Sequence, residues 1–94
     1  MIYYRADVAA YEGIKLAALS YGFRDDRLAT VRFELAEARD CARMLDALKP
    51  SFGNAPRAQP NAGRGTSYTW SGEGWTLRLN DFGSAQCNGI FFRP

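Results

Sequence analysis

The chain contains no histidine. That removes the usual general base near neutral pH, the centre of most catalytic triads and the commonest metal ligand. Its two cysteines, Cys41 and Cys87, cannot make a structural zinc site alone, and no group of acids has calcium-loop spacing. A phosphate-binding loop is also missing: Gly63-Arg64-Gly65 is only a glycine-flanked arginine. Asp81-Phe82-Gly83 matches a kinase tripeptide, but the glycine-rich and catalytic loops that give it meaning are absent. The adjacent acids Asp25-Asp26 are flanked by Arg24 and Arg27 and read as a solvated turn. These absences point to a non-catalytic protein with no catalytic residue, cofactor or metal.

No apolar run approaches the roughly 18 residues of a membrane span. The first residues lack a basic region followed by an apolar stretch, so no secretory signal is expected. Two cysteines do not make a disulfide framework, and both read as buried thiols in a reducing cytoplasm. Lysine is scarce: ten of the twelve basic residues are arginine, against ten acids, for a net charge of +2. A dedicated nucleic-acid binder usually carries a stronger basic excess.

What is present is ample apolar and aromatic content, 47% and 14%, enough for a globular core and too much for a disordered chain. At 94 residues the chain reads as a single domain, 1–94. The plainest local signal is a hairpin over Tyr68–Leu79, where large apolar residues alternate with small or polar ones about Gly72-Glu73-Gly74. A two-residue turn at Gly72-Glu73, or a four-residue loop Ser71–Gly74, sets Trp70 opposite Trp75 and Tyr68 opposite Leu77. Upstream, Ile2–Arg5 reads as a strand. Asp7 is a plausible N-cap for a helix over Val8–Tyr21, stopped by Gly22. Its alanines favour helix over the competing strand Ile14–Leu19. Ala29–Leu35 alternates as a strand with Val31, Phe33 and Leu35 inward and Thr30, Arg32 and Glu34 outward. A helix Glu37–Lys49 follows, with Pro50 ending it. Residues 50–65 read as a flexible Pro/Gly-rich basic loop, since a pattern-free segment of this length is unusual in a compact domain. Ile90–Phe92 closes the chain as a strand, central or at an exposed edge.

The expected fold is α+β: a two-layer, mostly antiparallel sheet of 4–5 strands with two helices on one face, in the order β-α-β-α-loop-β-β-β. The expected function is a small protein-binding module, a phage or mobile-element inhibitor of a host complex, similar to anti-CRISPR proteins in size and style only. Its partner would be a larger protein or nucleoprotein complex, with no membrane involved. The partner-binding candidates are Arg57, Arg64, Arg78 and Trp75, drawn from the basic loop and the hairpin. The alternative is a nucleic-acid-binding domain using arginine and aromatic residues.

Overall fold

Three tight turns organise the sheet. At Glu12-Gly13 both residues take positive φ, 49° and 79°, as do Asp25 and Asp26 at 52° and 62°. This is the backbone of the two-residue hairpin turns whose twist matches that of the strands they join. The third turn is Glu73-Gly74, with Gly74 at φ 77°. A computed structural model describes residues 2–5, 9–60 and 65–93 of the chain. Strands β1 (Ile2–Arg5) and β2 (Ala9–Tyr11) are followed by β3 (Ile14–Arg24) and β4 (Arg27–Leu35). A single turn of 3-10 helix, Ala38–Asp40, leads into helix α1 (Cys41–Phe52). The chain continues as β5 (Arg57–Pro60), β6 (Thr66–Gly72), β7 (Trp75–Asp81) and β8 (Cys87–Phe92).

These strands form one antiparallel sheet. Seven follow one another in the order β1-β3-β4-β8-β7-β6-β5, and β2 pairs with β3 beside β1. The expected sheet of 4–5 strands with two helices is therefore wrong: among the described residues the sheet is larger and there is one short α-helix. The missing helix is the one expected over residues 8–21. Its place is taken by a β2–β3 hairpin around Glu12-Gly13, with Tyr11 opposite Ile14. Between Leu16 and Ala18 the β3–β4 register shifts by one residue. Such a bulge inverts the side-chain alternation. Leu16 on one side of it and Leu19 and Tyr21 on the other line the same groove, although their spacing is not that of a regular strand.

Other expectations are corrected in detail. The β6–β7 register pairs Trp70 with Leu77, Tyr68 with Leu79 and Gly72 with Trp75, two residues away from the expected pairing. The face assignment survives because a shift of two preserves the alternation. Pro50 does not end α1, which runs on to Phe52. Proline removes one helical hydrogen bond, yet the last turn closes through Gly53 N–H donating to the Lys49 carbonyl at 2.8 Å. Phe52 is held edge-on against Trp75, ring centres 5.6 Å apart. Within 50–65, residues Arg57–Pro60 pair with β6 as an edge strand, where the missing proline N–H is least costly. Residues 61–64 lie outside the described residues. Ile90–Phe92 belongs to β8, which is central, between β4 and β7.

The cysteines are not free thiols. Cys41, at the start of α1, is joined to Cys87, at the start of β8, and both are buried, 4% and 0% exposed. The sequence offered no spacing that distinguishes this pair from two isolated thiols. Around the bond, α1 lays Met44 and Leu48 onto Leu77, Leu79 and Trp70 of the sheet, with Ile14 and Leu35 completing the core. Trp70 Nε1–H donates to the Gly53 carbonyl at 2.8 Å, tying the end of α1 to β6. No helix among the described residues is long and apolar enough to cross a membrane.

Candidate interaction face

Helix α1 covers one face of the sheet and leaves the other to solvent. The register of six strand pairings can be followed across that open face. Arg57 on β5 lies opposite Thr69 on β6, and Thr69 opposite Arg78 on β7. Arg78 lies opposite Ile90 on β8, Ile90 opposite Arg32 on β4, and Arg32 opposite Ser20 on β3. In register, the row ends at position Arg5 of β1. Arg57, Arg78 and Arg32 are all exposed. Each is two strands from the next, so their α-carbons are spaced roughly 9–10 Å apart.

A second row runs beside the first: Gln59, Ser67, Asn80, Asn88, Glu34 and Ala18, also in register. It is stitched by Ser67 Oγ–H donating to Asn80 Oδ1 at 2.8 Å and Asn80 Nδ2–H donating to Asn88 Oδ1 at 2.9 Å. With the Gln59 amide oxygen turned toward it, Arg57 donates through Nη2 and Nε at 3.1 and 3.2 Å. Between the two rows the small residues Ala18, Ser20 and Gly89 leave an open recess of about 380 Å³ flanked by Arg32, Glu34 and Asn88. The ion pairs among the described residues are Arg43–Asp40 and Lys49–Asp46, both on or beside α1. Neither Arg32 nor Arg78 has a carboxylate partner among the described residues. The face thus presents spaced, unneutralised guanidinium groups on a rigid sheet, suited to binding carboxylates or phosphates through paired hydrogen bonds.

Of the four residues expected at a partner site, the fold brings Arg57 and Arg78 into one row, with Thr69 between them. Arg64 lies outside the described residues. Trp75 is on the opposite, α1-covered face, half-buried and stacked on Phe91 with ring centres 6.1 Å apart and planes 24° apart. Arg32 is the addition. Its outward direction is readable from the alternation of β4, but its neighbours are not, because β4 reaches β7 only through β8, the last strand in sequence. Among the described residues no group of three or more histidine, cysteine, aspartate or glutamate side chains could hold a metal ion.

The fold and this face define a β-sheet domain with one covering helix, one stapling disulfide and one charged, open surface. No family model, curated protein or solved structure matches the chain.

Proposed function

We propose that this chain is a small non-catalytic protein-binding module that sets the open face of its sheet against an acidic surface of a larger protein or nucleoprotein complex. The observation that carries the reading is the row Arg57–Thr69–Arg78–Ile90–Arg32, in which arginines alternate with small or apolar residues across neighbouring strands. Arginine is favoured at interfaces because its planar fork engages carboxylates bidentately and its guanidinium is weakly hydrated. The recess beside Arg32 offers a place for one anchoring side chain of the partner. Size and composition support the narrower form of the reading, a phage or mobile-element inhibitor of a host complex. Acting in the cytoplasm, such an inhibitor would have to keep its disulfide against cellular reductants, and the near-complete burial of Cys41 and Cys87 favours that.

The second reading is a nucleic-acid-binding domain. It draws less support, because base stacking requires accessible rings on the face that holds the phosphates: Trp75 lies across the sheet from Arg57 and Arg78, and Phe92, which shares their face, is half-buried. The two are separated by capturing partners from a host lysate and, in parallel, titrating the chain with single- and double-stranded DNA and RNA. The protein reading expects a stoichiometric protein partner whose complex weakens tenfold or more on Arg78→Glu, the scale of losing one charged interface pair, and no nucleic-acid binding at low salt. Low-salt nucleic-acid binding that collapses as salt rises, with no protein captured, supports the second reading instead.

A further inference from the structure

The α1-covered face is only partly covered. Between α1 and the β3–β4 hairpin lies an open groove of about 450 Å³. Its walls include Leu16, Leu19, Val31 and Phe33 from the sheet and Leu48 and Phe52 from the helix. Such a concentration of apolar groups, all but Leu48 half-buried, is uncommon along an open groove without a ligand or partner. The size narrows the occupant. A helix about 10 Å across takes up roughly 420 Å³ per turn, so the groove would admit about one turn of a partner helix. The same volume lies within the range of small-molecule sites.

The groove does not end in apolar surface. It shares Leu28 and Arg93 with an adjoining cleft of about 520 Å³ that also holds Arg24, Arg27 and Asp25. Arg24 and Arg27 face each other directly across the β3–β4 hairpin, an arrangement of like charges that costs stability unless something neutralises it. Arg93 is fixed at the mouth by its N–H donating to the Ala29 carbonyl at 2.8 Å. Its guanidinium lies over the Phe91 ring, 5.7 Å from the centroid. None of the three arginine side chains has an ion-pair partner among the described residues. An apolar trough that opens onto three arginines against one carboxylate, Asp25, keeps a positive excess and has the shape and charge of a site for an amphipathic anion.

We propose that this chain binds one monomeric single-chain amphiphile, its hydrocarbon tail along Leu19, Val31 and Phe33 and its phosphate or carboxylate head against Arg24, Arg27 and Arg93. The tail groove lies across the sheet from the Arg57–Arg78–Arg32 row and the head cleft lies at the β3–β4 turn, so the site shares no residue with that row and stands or falls independently of it.

The test is calorimetric titration of the full chain with dodecyl phosphate below its micelle concentration. Dodecyl maltoside supplies a neutral head, inorganic phosphate a head without a tail, and anionic phospholipid vesicles a membrane surface. The expected result is saturable binding of one dodecyl phosphate per chain, at least tenfold tighter than dodecyl maltoside or inorganic phosphate. Arg27→Glu with Arg93→Glu weakens it at least tenfold. Arg39→Glu, a charge reversal outside both the groove and the cleft, leaves it unchanged. Val31→Trp, which fills the groove at constant charge, abolishes binding; Leu19→Phe is the milder filling variant should Val31→Trp fail to fold. No saturable binding of dodecyl phosphate overturns the proposal, as does affinity unchanged by the arginine reversals. Binding to vesicles with none of the monomer also overturns it, in favour of a membrane-surface contact.

Discussion

Gly72 and Gly89 mark the places where an aromatic ring from the neighbouring strand lies directly on the backbone. A Cβ at Gly89 would overlap the Phe33 ring, and one at Gly72 would overlap the Trp75 indole. Both pairs are direct cross-strand partners, Phe33 with Gly89 and Trp75 with Gly72. The ring covers backbone that would otherwise face solvent, and it can do so only if the partner has no side chain. Gly89→Ala therefore forces Phe33 out of its place, an overpacking change of about 1–3 kcal/mol. For a domain of this size, thermal denaturation should record a fall of roughly 4–8 °C per kcal/mol. An unchanged midpoint would mean that Phe33 repacks freely. Trp70→Phe removes the 2.8 Å hydrogen bond to the Gly53 carbonyl while keeping most of the ring. It should cost about 1 kcal/mol, read as a shift in the urea midpoint at constant slope.

At the scale of the element, the single helix is held to the sheet by apolar packing and by one covalent bond. The Cys41–Cys87 bond closes a chain segment of 46 residues that holds α1, β5, β6 and β7. By the chain-entropy relation a loop of that length stabilises the fold by about 4 kcal/mol. Reduction, or replacement of both cysteines by alanine, should lower the unfolding free energy by an amount of that order, measured by denaturant titration with and without reductant. An effect below about 1 kcal/mol would show that α1 packing alone sets the junction. The same scale explains what was legible beforehand. The β6–β7 hairpin and β4 could be read from their sequence because their alternation is regular and their turns carry glycine or paired aspartates. The β2–β3 hairpin could not, because the bulge after Leu16 breaks the alternation and the alanines at 17 and 18 imitate a helical stripe. β5 was hidden for a different reason: a short edge strand of Arg57, Ala58, Gln59 and Pro60 has no apolar face to announce it.

At the scale of the molecule, the sheet consists of two meanders, β2 to β4 and β5 to β8, zipped together where β4 pairs with β8, with β1 added to β3 beside β2. That pairing joins Thr30 to Phe92 and Glu34 to Asn88, contacts between residues far apart in sequence. It creates both surfaces of interest. On the open face it places Arg32 in line with Arg78 and Arg57. On the helix face it sets Val31 and Phe33 beside Phe91. Neither juxtaposition can be read from local pattern, since each depends on which strand becomes the neighbour of which. Arg57 and Arg78 were picked out by their basic surroundings and by the hairpin; that they share a row follows from β5 pairing with β6. The proposed role of that row is tested most directly by partner capture with matched variants. The wild-type chain and Arg32→Glu/Arg78→Glu, first shown to have the same thermal midpoint, are used to capture partners from a host lysate. The complex is then titrated at increasing salt. The account predicts one stoichiometric protein partner for the wild-type chain, lost in the double variant and weakened as salt rises. A partner retained at full affinity by the double variant would contradict it.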